Sequence, residues 1–591
     1  MPTDNAPIVP RPKHYERTTG AFWLSRNSRI VAGESPACRA PALRLQVLIA
    51  ERTGLKLPLA DGSPPAAITP VIRLRRTSSR FDRTTRAEGY RTTIRPDAVE
   101  IEAATREGFF HGIHSLAAML ERDGNLWRLA AGHLRDWPDF SWRGFLVDPA
   151  RRFIRLERIR QYIEWMAWNK MNVLHVHFSD CEAFTIESKQ FPALNEHVYH
   201  PMLFGSPRRP CTLAELTRVE RDYAGCYPQA EIRRLVAYAR DRGVMIVPEL
   251  AMPSHATPLI RVFPELRCQT SGGASSDAVF CIGSERTYRV LAKMFDEIVP
   301  LFPSPVVHIG ADEIDCRDVL YQGAPFFAQS WSTCTVCRAR MKKEGLSNTY
   351  QLFYYFVRRV KRMLARYGKR MVMWNDYIDL AHPDSLPRDL LVHFWRIAMK
   401  QRGPSRACSF NKLLGRGFKV INSFYPDTYI DIGLNDQRLA GWNPARNPRS
   451  APRLKARVVG AEMCAWADVE YYPRALPSAI PFFADRVWNK APVRDLKHFA
   501  ASLARQLFGP QASPELSRVF EYLGSIIPRP EKRGRFGEAS AGTLEIAHGK
   551  TMADYQRFVR IVRRELRAGR CSNRPVLEEY LASLQGAPLA D

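Results

Sequence analysis

Two adjacent carboxylates, Asp312 and Glu313, follow directly on the apolar run Val306-Val307-His308-Ile309-Gly310-Ala311. Acidic residues are depleted in strands, so an acid pair closing a β-branched run marks a strand whose tip carries function. Neighbouring carboxyls push their pKa values apart, leaving one protonated and one charged. That pair can serve as a general acid/base beside an electrostatic stabiliser. Similar runs end in chemistry-bearing residues along the chain. Asp180 follows Val173–Phe178, and Glu249 and then His255 follow Val244–Val247. Trp374, Asn375 and Asp376 close one run and Trp395 the next; Tyr429 and Asp431, then Trp466 and Asp468, follow the last two. Arg143 precedes the first, Gly144–Asp148. Several aromatic faces and acids on one side make a pocket for a molecule with an apolar face and a hydroxyl-rich edge, and a sugar has both. His175 and His177 share a strand face and could hold a metal, but the fifth run offers no further His, so no catalytic metal and no cofactor are expected.

These residues converge only if the runs that carry them lie side by side. Eight short apolar segments alternate with helical stretches from Ser141 onward: 144–148, 173–178, 244–249, 306–310, 370–374, 391–395, 419–423 and 458–463. This rhythm predicts an α/β fold, a (β/α)8 barrel with catalytic side chains at the C-terminal strand ends. Residues 1–138 read as a separate small α+β domain, with a hairpin turn at Arg95-Pro96-Asp97. The barrel is expected over 139–494 and a helical appendage over 495–591.

The net charge of +27 favours acidic partners, but the arginines are dispersed in short clusters and no nucleic-acid-binding signature accompanies them. A solvated basic surface is the preferred reading. No run of 18 apolar residues suggests a membrane span. The first residues lack a basic region followed by an apolar run, so no signal peptide is read there and a cytoplasmic location is favoured. Most of the 12 cysteines, Cys281 and Cys464 among them, sit singly in apolar contexts and read as core residues. Cys334-Thr335-Val336-Cys337 stands apart: half a zinc site that Cys316 or a nearby His would complete, a local disulfide, or free thiols.

The segments Trp142-Arg143-Gly144 with Asp148, His175-Val176-His177-Phe178-Ser179-Asp180, Pro248–His255, His308–Glu313, Tyr429-Ile430-Asp431, Trp466-Ala467-Asp468 and Ala484–Trp488 occur in an order and at spacings that resemble glycoside hydrolase family 20, the β-N-acetylhexosaminidases. The resemblance covers about residues 8–490. It implies removal of terminal β-linked N-acetylglucosamine or N-acetylgalactosamine from an oligosaccharide or glycoconjugate, by a substrate-assisted route in which the 2-acetamido group attacks C1. On this resemblance Glu313 is the acid/base and Asp312 holds the acetamide N–H. Tyr429 donates to the acetamide oxygen, and Trp374, Trp395 and Trp466 wall the sugar. Arg143, Asp431 and Asp468 bind hydroxyls, while His255 and Asp180 orient Glu313. Four positions depart from the family pattern: Ala311 and Ser254 replace glycines, Cys181 an aspartate and Asp468 a glutamate. The competing reading is a barrel that binds glycans with little or no catalysis.

Overall fold

The computed structural model describes residues 7–62, 70–77, 87–199, 210–212, 214, 224–269, 278–314, 327–378, 386–396, 408–430, 439, 441–445, 452–466, 472–509, 513–518, 526–528, 544–546, 552–569, 577–578 and 581. Asp431, Asp468 and Cys316 lie outside these.

Seven strands of the N-terminal region form one mixed sheet in the spatial order His14–Leu24, Leu126–Asp136, Tyr90–Ile94, Ala98–Ala103, Val71–Arg76, Arg29–Ala32 and Leu59–Asp61, and Glu121–Asp123 pairs with Leu126–Asp136 as an eighth. Tyr90–Ile94 and Ala98–Ala103 are antiparallel about the turn expected at Arg95–Asp97. Helices Pro36–Thr53 and Arg106–Ala118 supply the apolar side chains that close this core, and Ser35 and Thr105 cap their N-termini by accepting from Ala37 N–H and Gly108 N–H. Trp488, at the end of helix Tyr472–Trp488, is buried in the same core and donates its indole N–H to Asp136 at 2.8 Å.

All eight expected barrel strands are present: β1 Trp142–Val147, β2 Val173–Ser179, β3 Met245–Leu250, β4 Val306–His308, β5 Arg370–Trp374, β6 Leu391–Phe394, β7 Lys419–Asn422 and β8 Val458–Ala465. They pair in parallel in chain order, and β8 closes on β1. Side chains alternate in and out along each strand. In β2, Leu174, Val176 and Phe178 pack outward against the helical ring, whereas Val173, His175 and His177 fall on the opposite face. The interior is therefore layered. An apolar plug of Trp142, Val173, Val247, Val306, Val372, Leu391 and Ile421 fills the N-terminal end. A polar layer of His175, Glu249, His308, His393 and Glu462 lies above it. Trp374, Tyr429, Trp395 and Trp466 cap the C-terminal end.

Beyond the barrel, helix Leu496–Phe508 begins at an Asp495 cap, and helix Met552–Ala568 follows. Between them Ile526–Pro528 pairs with Leu544–Ile546 as a short antiparallel ribbon, so the C-terminal region is not wholly helical as expected. Among the described residues, no helix is long and apolar enough to cross a membrane.

Candidate active site

The acid pair stands where β4 ends. Gly310, Ala311 and Glu313 all adopt left-handed backbone, with φ of 69°, 66° and 55°, as does His255 with φ 55°. Such conformations cost about 1–2 kcal/mol for a residue with a Cβ, and strain of this kind collects at functional sites. The glycine expected at position 311 would meet this backbone freely; Ala311 is buried there with its methyl. At Gly310 a Cβ would stand 3.2 Å from Glu249 Oε1 and 3.3 Å from Asp312 Oδ1, so the turn needs glycine both for φ and for room.

His255 links the acids to the rest of the site. Its Nε2 lies 3.3 Å from Glu313 Oε2 and 3.6 Å from Asp312 Oδ2, and its Nδ1 lies 3.0 Å from Asp180 Oδ1. Ser254, in place of a glycine, donates its hydroxyl to the Asp312 carbonyl at 2.6 Å and so ties the β3 and β4 loops together. Asp180 also lies 2.8 Å from His177 Nε2 and 2.8 Å from Arg151 Nη2. Burial alone would keep His255 neutral, but the charges of Asp180 and Asp312 raise its pKa well above the usual value. Asp180 ionises well below the usual range, because Arg151, His255 and His177 outweigh its burial.

The two acids titrate apart. Burial, reinforced by Glu249, Glu313 and Asp376, pushes Asp312 up to about 7 against the pull of His255. Burial also acts on Glu313, but the His255 hydrogen bond and charge, with Arg396 and Arg151, bring it below the ordinary glutamate value. Below about pH 7 the proton of the pair in the free site therefore rests on Asp312. Its Oδ1 has no hydrogen-bond partner among the described residues.

The aromatic residues expected at the strand ends are brought together. Trp374 and Trp466 have ring centroids 6.0 Å apart, Tyr429 and Trp466 5.9 Å, and Trp395 and Tyr429 6.2 Å with nearly parallel planes. Three of them are held from behind. Trp374 stacks on His393 at 4.0 Å and donates its N–H to Glu249 at 3.0 Å. Trp395 donates its indole N–H to Asp376, which also receives Arg396. Tyr429 is held by a bridge to Cys464 on β8. The Trp466 indole nitrogen is buried and has no partner among the described residues.

Glu249 and Glu462 anchor the polar layer below. Glu249 lies 2.7 Å from His177 and 3.0 Å from His175, and Glu462 lies 2.7 Å from the other nitrogen of His175. His175, which burial would lower, is raised by these two carboxylates to about 9. His175, Glu249 and His308 are close enough to chelate a cation, but Glu249 already lies 3.0 Å from the raised, protonated His175 and 3.3 Å from His308, whose pKa burial lowers.

Arg143 requires a correction. It lies at the start of β1, at the opposite end of the barrel from the acids, and is fully buried against the N-terminal domain. Its guanidinium pairs with Glu88 and donates to the carbonyls of Lys170 at 2.7 Å and Phe140 at 2.8 Å. Against the upward push of burial, Arg143 and His111 hold Glu88 at about 2. Arg143 thus joins two domains and cannot reach a ligand at the strand ends. The arginine at the site is Arg151, in the loop after β1: it pairs with Asp148 and Asp180 at 2.8 Å, and its guanidinium carbon is 5.1 Å from the Trp466 ring centroid. The rule that barrel chemistry sits after strands, not before them, points to Arg151 within Asp148-Pro149-Ala150-Arg151. Asp376 and Arg396, each one or two residues beyond an expected tryptophan, were open to the same rule.

Comparison with known proteins accords with this architecture. Residues 140–490 match the description "Glycosyl hydrolase family 20, catalytic domain", and residues 5–137 match "Glycosyl hydrolase family 20, domain 2". A beta-hexosaminidase of Porphyromonas gingivalis is 27% identical over 452 residues, covering 70% of this chain; the chain spans only 52% of that protein's length. A beta-hexosaminidase of Vibrio furnissii is 27% identical over 489 residues, covering 78% of this chain and 72% of its own. Among solved structures, the chitobiase of Flavobacterium johnsoniae superposes with a TM-score of 0.71 at 19% identity, covering 99% of this chain and 92% of its own. The exo-β-N-acetylglucosaminidase of Vibrio harveyi gives 0.68 at 23% identity, covering 84% and 76%. With both regions matched in order and the barrel match spanning more than half of its length, the chain belongs to glycosyl hydrolase family 20.

Proposed function

We propose that this protein is a retaining β-N-acetylhexosaminidase that removes terminal N-acetylglucosamine or N-acetylgalactosamine from oligosaccharides or glycoconjugates. The observation that carries this reading is the adjacent pair Asp312 and Glu313, bridged by His255 beneath an aromatic wall. A retaining glycosidase with its own nucleophile sets two carboxyls about 5 Å apart across the sugar, which neighbours in sequence are poorly placed to do. They suit the route in which the substrate's acetamide oxygen attacks C1.

In that route the C1–O bond breaks as the acetamide oxygen bonds to C1, and the leaving oxygen takes a proton from Glu313. Asp312 accepts the acetamide N–H and, as a carboxylate, balances the oxazolinium charge. Water then attacks C1, loses a proton to Glu313 and reopens the ring with the original anomeric configuration restored. Binding must move the pair's proton from Asp312 to Glu313, and two features favour this. The acetamide N–H stabilises the Asp312 carboxylate, and the sugar excludes water from Glu313, which raises its pKa. Tyr429 donates to the acetamide oxygen, Trp374, Trp395 and Trp466 enclose the methyl and sugar face, and Arg151 with Asp431 and Asp468 takes the hydroxyls. His255 and Asp180 orient Glu313.

The test is hydrolysis of p-nitrophenyl N-acetyl-β-glucosaminide, its galacto epimer and the plain β-glucoside, with Glu313→Gln beside wild type. Release from an acetamido sugar only, reduced by about 10²–10⁴-fold in the variant, is the expected result. Binding of N-acetylglucosamine without any release would instead make this a glycan-binding barrel.

A further inference from the structure

Outside the sugar site, four cysteines from three separate parts of the chain meet at one point. Cys268, Cys281, Cys334 and Cys337 are all buried, and their sulfurs lie within 4.8 Å of one another. Cys281 Sγ is 3.7 Å from Cys334 Sγ and 3.6 Å from Cys337 Sγ. A tetrahedron with Zn–S bonds of about 2.3 Å has S···S edges of about 3.8 Å, whereas a disulfide needs about 2.05 Å. All four are free thiols.

We propose that these cysteines form a structural zinc site of the tetrathiolate type. It differs from the completion expected for the Cys334–Cys337 pair: Cys281, read from sequence as a core residue, is a ligand, and Cys268 takes the fourth position. The backbone around the cluster is arranged for it. Cys334 is the N-cap and Cys337 lies in the first turn of helix Thr335–Lys343, where the helix dipole and free N–H groups favour thiolate over thiol. A Cβ on Gly283 would lie 2.6 Å from Cys337 Cα, so only a glycine lets the Cys281 loop pass this close to the helix start. Thr335 N–H donates to the Gln269 carbonyl at 3.0 Å, which fixes the Cys268 segment beside it.

The site would act as a staple under the catalytic loops. Cys268 and Cys281 lie on the excursion that follows β3 and His255; Cys334 and Cys337 lie on the one that follows β4 and Glu313. Ala256 N–H donates to Ala278 O at 3.1 Å, Phe280 N–H to Pro253 O at 2.9 Å, and Trp331 Nε1–H to Phe280 O at 2.8 Å. The turn bearing His255 is thus pinned to the cysteine segment, and the cysteine segment to the helices after β4. Loading exchanges thiol protons for one divalent ion, so it releases protons and weakens at low pH.

The experiment measures metal in the full-length protein purified without chelator, then titrates it with a mercurial thiol reagent while following zinc release. One zinc per chain, released in step with modification of four thiols, is the expected result, as are the intense tetrathiolate bands of a cobalt-exchanged sample. Cys281→Ser and Cys337→Ser should lose the metal, while Cys38→Ser, in the separate N-terminal core, should keep it. Where the serine variants do not fold, the wild-type titration decides alone. Protein that carries no zinc after purification and reloading, or peptide mapping that finds these cysteines paired as disulfides, would overturn the proposal.

Discussion

Asp312→Asn should remove activity and at the same time stabilise the protein, by an amount that grows with pH. The cause is the burial that raises the Asp312 carboxyl from 3.8 to about 7. Below 3.8 the acid is protonated in both folded and unfolded chains and costs nothing. As pH rises, the unfolded chain ionises freely while the native site resists, so the penalty grows until about 7 and is constant above it. At ~1.4 kcal/mol per pH unit the full penalty is about 4 kcal/mol near pH 8, and under about 2 kcal/mol near pH 5. Asparagine is close in shape and carries no charge, so it escapes this cost. Thermal unfolding of wild type and variant at the two pH values, at matched ionic strength, reads the difference. A gain of several degrees near pH 8 that shrinks at least by half near pH 5 is expected. A loss of stability, or a gain that does not change with pH, would refute the placement of a buried acid that resists ionisation at this position.

The same titration sets the pH profile of catalysis. The competent pair holds one proton, so kcat/KM, which reports the free enzyme, should fall as pH rises through about 7. A flat profile well above that point would contradict the shared proton. The two arginines should separate cleanly. Arg143→Gln should leave KM unchanged and cost about 3–5 kcal/mol of stability by stranding buried Glu88, whereas Arg151→Gln should raise KM by about tenfold or more. Urea unfolding and steady-state kinetics of both variants check this, and a KM effect confined to Arg143 would reverse the assignment.

Much of the fold was legible because each barrel strand is a short apolar run between polar loops, and the eight runs alternate with helical stretches in the order in which the closed barrel pairs them. The acid pair and the tryptophans were legible for the same reason, since they stand at the ends of those runs. Arg143 was misplaced because a motif match says nothing about which end of a strand a residue occupies; its neighbour Trp142 plugs the bottom of the barrel. Asp376 and Arg396 hold Trp395 and one another just past strand ends and were open to the strand-end rule, whereas Glu462 lies within β8 and holds His175 from inside the barrel, where nothing in its local sequence marks it. The cysteine cluster joins residues 53 and 56 positions apart through a third segment, which no local spacing reveals. Its visible half was the Cys334–Cys337 pair alone.

The central claim is that the substrate's own acetamide is the nucleophile, with Asp312 holding it. The direct test is kcat/KM for a series of p-nitrophenyl glycosides whose 2-acetamido methyl carries none, one, two or three fluorines. If the acetamide oxygen attacks C1, each fluorine withdraws electron density from it, and the rate should fall steeply and progressively. Asp312→Asn should be slow throughout. A rate that does not depend on fluorination, or a β-glucoside cleaved as fast as the acetamido sugar, would show that a protein side chain or water attacks instead.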